Sequence, residues 1–134
     1  MSASLSVPHI PAVIEAHRIA PRIVQTTISG HATLKLSEKG LPEFRRIVAD
    51  MERPIWVSDS TLLTGYEPAS IRYGRLWFEA FKSSGGRDLV VVANWSIAIM
   101  AGRAMGLGFG VRIENMPTLK HALERAHALI EAGR

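Results

Sequence analysis

Ser58, Asp59, Ser60, Thr61, Thr64 and Glu67 crowd into one short stretch of the chain. Hydroxyls and carboxylates at this density have three chemical uses. They bind a partner through hydrogen bonds, accept phosphate, or set an acid–base group beside a nucleophile. The third use fails on spacing. Ser58 and Asp59 are neighbours, so on a strand they face opposite ways. No Gly-x-Ser-x-Gly turn presents a serine elsewhere. No catalytic residue is named, and the protein is not expected to be an enzyme.

Two other constellations are weaker. The five histidines do not share a spacing that binds metal. His121 and His127 fall on helical faces about 120° apart, whereas ligand pairs stand three or four residues apart. His9, His17 and His31 lie far from both. With zero cysteines, thiolate ligands and disulfides are excluded as well. No metal and no cofactor are expected. Gly102, Gly106, Gly108 and Gly110 come after a helical pattern and before a strand-like one, the reverse of a dinucleotide-binding turn. Gly106 reads as the glycine that ends the helix, Gly108 and Gly110 as the following turn, and Gly102 as a close-packing residue.

The polar stretch needs a frame, and the flanking residues supply one. Ile55 to Val57 and Leu89 to Ala93 are short apolar runs, the form of strands buried inside a parallel sheet. Between them an amphipathic helix follows the polar turn and ends near Gly85 and Gly86. The turn thus lies at the carboxyl end of a strand, the edge where open α/β sheets usually bind ligands and partners. Upstream, Arg22 to Thr33 is β-rich, with a turn or bulge at Gly30. Phe44, Ile47, Val48 and Met51 then predict a helix over Leu41 to Met51 with Pro42 in its first turn; Ser37 would cap an earlier start. Downstream, a helix capped by Ser96 runs to Leu107, and Val111 to Ile113 is a short strand. Thr118 opens a last helix striped by Leu119, Leu123, Ala126 and Ile130. The fold class is α/β: one mixed sheet of four to five strands with about four helices packed mainly on one face. Ile55–Val57 and Leu89–Ala93 should be adjacent and parallel.

Composition agrees. The chain has 134 residues, enough for one domain with a real core. No apolar run reaches the ~20 residues of a membrane span. The start, MSASLSVPHIP, lacks the pattern of a secretory signal, so a cytoplasmic location is expected. Residues 1–19 read as a loose arm. The net charge of +4 comes with arginine pairs (Arg45 and Arg46, Arg72 and Arg75) interleaved with Glu43, Asp50, Glu67 and Glu79. A solvated face is the simpler account, and nucleic-acid binding is not expected.

Tyr73, Trp77 and Phe81 recur at four-residue steps, beside a second stripe of Ile71, Gly74 and Phe78. A single sheet cannot cover both stripes, because a buried helical face spans little more than 100°. Ile71, Gly74, Phe78 and Phe81 are assigned to the core, and Tyr73 and Trp77 to its margin. Two readings of that margin stand: packing against a neighbouring element, or a partner or dimer surface. Trp95, between Asn94 and Ser96, follows a strand on the same edge as the polar turn.

The element order and the segments IWVSD, LVVVAN and VRIEN resemble the STAS domain of anti-sigma-factor antagonists, within a broader STAS-like or CRAL-TRIO-like group of bacterial domains. The resemblance implies one STAS-like domain over 20–134 and a non-enzymatic signalling or scaffold role. Antagonists of this kind carry an Asp-Ser-Ser-Gly-type turn at a helix start, where a partner kinase phosphorylates one serine. With Asp59 on the family's strand-end aspartate, Glu67 takes the place of the turn acid. Pro68 and Ala69 then take the two serine places, and neither accepts phosphate. Ser70 follows and is the remaining candidate for phosphorylation.

Two function classes stay open. The first is a protein-interaction module whose partner, another protein or a second copy, meets Thr64, Glu67, Ser70, Arg72, Tyr73, Trp77 and Trp95. The second is a small-molecule or lipid carrier or sensor using the same sheet edge. A cavity of several hundred Å3 would favour the second, since ligand sites are typically that large.

Overall fold

A computed structural model describes residues 10–93 and 105–134. Six strands and three long helices follow the order β1 (Val13–Ala20), β2 (Ile23–Ala32), α1 (Leu34–Ala49), β3 (Ile55–Asp59), β4 (Leu63–Tyr66), α2 (Pro68–Ser83), β5 (Asp88–Val92), β6 (Arg112–Met116) and α3 (Leu119–Glu131). Residues 105–109 are also helical. The sheet order is β1-β2-β3-β5-β6, with β4 beside the far end of β2. Only β1 is antiparallel to its neighbour. As expected, β3 and β5 are adjacent and parallel, from Ile55 opposite Asp88 to Asp59 opposite Val92.

Alternation along the central strands sorts side chains into two cores. Val24, Trp56 and Leu89 face α1 and α2, together with Phe44, Ile47, Val48, Phe78 and Phe81. Ile23, Ile55, Val57, Val90 and Val92 face the other way, against Ala122, Ala126 and Leu129 of α3. Among the described residues, helices therefore lie mainly on one face, with α3 on the second. Thr118 caps α3 as its position predicts, its hydroxyl accepting from the His121 N–H at 3.1 Å.

Several expectations need correction. The segment assigned to a loose arm contains β1, which pairs with β2 from Val13–Ser29 to Ala20–Ile23. It is an edge strand that fully buries only Ala16, so its apolar signal is faint. Helix α1 begins at Leu34 rather than Leu41 and carries Gly40 and Pro42 inside it. Gly40 is required there because a Cβ would stand 2.6 Å from the Ile14 carbonyl oxygen of β1. Ser37 is not a cap but a buried residue of the helix body. The left-handed residue that ends the 105–109 helix is Gly110 (φ 71°) rather than Gly106. Gly106 is packed so closely that a Cβ would meet Ile113. The expected helix start at Ser96, the glycine at 102 and the aromatic at Trp95 lie outside the described residues.

Candidate functional site

The polar stretch caps the carboxyl ends of the parallel strands. Asp59 ends β3, and its carboxylate accepts from the Thr61 N–H at 3.1 Å and the Thr61 hydroxyl at 2.6 Å. This side-chain turn steps the chain across into β4, which runs in the same direction as β3 beside β2. The Ser60 N–H donates to the Val92 carbonyl at 2.8 Å, which ties the turn to β5. β4 then takes over from β3 as a partner of β2, with a register shift at Gly30 (φ 66°), the bulge expected there.

Glu67 joins two helices. It is the N-cap residue of α2, yet its side chain does not cap that helix. Its carboxylate instead accepts from the Leu34 N–H, the first residue of α1, at 2.8 Å. Its own N–H donates to the Ala32 carbonyl at 2.8 Å. Thr33 caps α1 at the same time, accepting from Leu36 N–H at 3.2 Å. The start of α1 is thus covered by one local residue and one residue from a distant loop. A carboxylate facing that helix start meets the positive end of its dipole.

The predicted contact residues divide. Thr64, Glu67 and Arg72 are exposed, and Tyr73 is half-buried against the α1–α2 core. Among the described residues Arg72 makes no ion pair or hydrogen bond, whereas Arg75 pairs with Glu79 at 3.3 Å. Trp77 is not at a margin. It is 4 % exposed, packs on Phe44 with ring centroids 4.8 Å apart, and donates its indole N–H to the Ser37 hydroxyl at 3.0 Å. The physical reason is that α2 rests on α1 as well as on the sheet, so it buries a wider arc than a helix lying on a sheet alone. Ser70 is also buried, in the lining of the interior. Sequence reasoning missed Leu62, which is exposed at the tip of the β3–β4 turn while Leu63 lines the interior. The signal was the Leu62–Leu63 pair, of which a strand can bury only one on a given face.

Beneath this surface lies a cavity of about 190 Å3 between the sheet, α2 and Met105. That is smaller than the ~300–1,000 Å3 of most ligand clefts. Among the described residues no three His, Asp or Glu side chains gather as metal ligands, and no helix is long and apolar enough to cross a membrane.

No protein-family model matches the sequence, and no curated protein matches it either. Solved structures do match. A protein of uncharacterised function from Shewanella loihica PV-4, described as having a SpoIIAA-like fold, aligns over 90 % of this chain and 98 % of its own at 14 % identity and TM-score 0.66. The phosphorylated form of the Bacillus cell-fate determinant SpoIIAA aligns over 84 % and 98 % at 10 % identity and TM-score 0.65. An anti-sigma factor antagonist from Mycobacterium paratuberculosis aligns over 91 % and 98 % at 20 % identity and TM-score 0.58. The chain has a SpoIIAA-like fold.

Proposed function

We propose that this protein is a non-enzymatic interaction module of the anti-sigma-factor-antagonist type. Its partner is a protein, held by the sheet edge around Thr64–Arg75 and the 94–96 segment. The observation that carries this reading is the construction of the edge. The exposed Glu67 joins the starts of α1 and α2 at the carboxyl ends of the strands, with Thr64, Leu62 and Arg72 exposed along the same loop and helix. The edge is rigid where the cap holds it and offers a cation, hydroxyls and an apolar residue to a partner. The fold it shares with two anti-sigma factor antagonists supports the same class of role.

The module does not use the usual phosphate switch. Pro68 and Ala69 occupy the places where a phosphorylatable serine is expected, and the Ser70 side chain faces the interior. Association is then governed by partner level or by a second ligand rather than by added charge at the start of α2.

The test is capture from native cells with tagged wild type and with Thr64→Arg combined with Arg72→Glu, which alters two exposed side chains that the fold does not use. The expected result is an anti-sigma factor retained by wild type and lost by the variant, with unchanged circular dichroism. Equal capture by a folded variant would place binding elsewhere.

A further inference from the structure

The cavity beneath the edge has a cause in the sequence that the interaction role does not use. On the α1–α2 face, β3 presents Trp56, then Ser58, with Ser60 following, and β5 presents Leu89, then Val91, with Ala93 following. On both strands the side chains shrink toward the carboxyl end. Gly74 and Ser70 of α2 stand opposite, so the small residues leave a hole where a packed interior would hold large ones.

The walls of this hole are of two kinds. Trp56, Trp77 and Phe78 form an apolar side, and the two indoles already donate inside the protein, to Thr26 at 2.9 Å and to Ser37 at 3.0 Å. Ser58, Ser60 and Ser70 supply hydroxyls from residues only 6 %, 8 % and 8 % exposed. Among the described residues none of these three hydroxyls has a hydrogen-bond partner, and none is sealed from the cavity. Each of these hydroxyl oxygens keeps some accessible surface, so a molecule in the cavity can hydrogen-bond to it. Water alone is a poor filling. A volume of 190 Å3 corresponds to about six waters at ~30 Å3 each, and each needs two to four polar partners that the aromatic side does not offer. An apolar cavity of ~150 Å3 suffices for a benzene ring.

We propose that the cavity binds an uncharged molecule of one substituted ring, carrying a hydroxyl or amide that bonds Ser58, Ser60 and Ser70. The described lining holds no Lys, Arg, His, Asp or Glu, which favours an uncharged ligand over a charged head group whose desolvation those walls would not offset. The ring lies against Trp56, Trp77 and Phe78. This ligand site stands independently of the protein-interaction role, and its occupancy would be felt at the start of α2.

The experiment is titration of the full chain with phenol and with toluene, followed by amide and indole N–H NMR shifts. Phenol is expected to shift the Trp56 and Trp77 indole resonances and to bind about tenfold more tightly than toluene, the factor that one well-made hydrogen bond supplies. Ser58→Ala with Ser60→Ala should remove that preference and leave toluene binding within about twofold, while Ser70→Leu should fill the space and abolish both. If the double variant does not fold, the wild-type phenol-to-toluene ratio and Ser58→Ala alone decide the matter. Equal binding of the two probes overturns the hydroxyl assignment. Absence of any shift with either probe means that the cavity holds water only and the proposal is wrong. Partner capture is unaffected by these outcomes, so the two readings fail separately.

Discussion

Replacing Ser37 by Ala should destabilise the protein through Trp77 rather than through Ser37 itself. The Trp77 indole N–H donates to the Ser37 hydroxyl at 3.0 Å, and both residues are 4 % exposed. Removing the hydroxyl strands a buried donor, which costs about 1–3 kcal/mol. Both residues line the cavity, so a water can take up part of the loss, and the lower half of that range, about 1–2 kcal/mol, is expected. Trp77→Phe removes the donor together with ring volume packed on Phe44, so its cost is greater. In the double variant no N–H remains to be stranded. The two changes should therefore be non-additive, with a coupling of about 1 kcal/mol in a double-mutant cycle. Urea unfolding followed by circular dichroism measures this: with a slope of about 2 kcal/mol/M, Ser37→Ala moves the midpoint down by roughly 0.5–1 M. Costs that add within ~0.3 kcal/mol, or a neutral Ser37→Ala, would refute the reasoning and leave Trp77 as packing alone.

Three further outcomes follow from particular contacts. Glu67→Ala should cost about 0.5–2 kcal/mol by uncapping α1 at Leu34, while Glu67→Gln keeps an acceptor oxygen and most of the stability; thermal melting compares the two. Gly106→Ala should cost about 1–3 kcal/mol in urea unfolding, because its Cβ would stand 2.3 Å from Ile113 Cδ1, and adding Ile113→Val should restore part of the loss. The hydrogen bond from Arg125 holds the Glu114 carboxyl below its ordinary range, against the opposing effect of burial. A lowered folded pKa gives stability that is fully present above the unfolded value of about 4.3 and lost as pH falls through the folded one. Arg125→Met should therefore flatten the loss of stability between about pH 5 and the acid transition, as read from urea midpoints across that pH range.

The sheet was legible where burial is two-sided. Ile55–Val57 and Leu89–Ala93 are continuous apolar runs because both of their faces meet helices, and the structure pairs them as expected. β1 was not legible, because an edge strand that fully buries only Ala16 carries too few inward apolar residues to mark it. The start of α1 was hidden by Gly40 and Pro42, which read as breakers. The Ile14 carbonyl that requires Gly40 belongs to another element, and so does the Glu67 carboxylate that caps Leu34. Trp77 was placed one contact short of its true position for a related reason: its stripe is visible, but the second helix that covers it is not. At the site, the exposed Thr64, Glu67 and Arg72 were legible from composition. The hole was written in Trp56, Ser58 and Ser60 and in Leu89, Val91 and Ala93, but becomes a cavity only once parallel pairing sets the two series side by side.

The central claim is that a protein partner sits on the carboxyl edge of the sheet. Hydrogen exchange of the chain, alone and with the captured partner bound, tests it most directly. The account predicts slowed exchange concentrated in residues 60–75, across the β3–β4 turn, β4 and the first turns of α2, with β6 and α3 unchanged. Protection confined to α3, β6 or the β1 edge, with 60–75 exchanging as in the free protein, would contradict it.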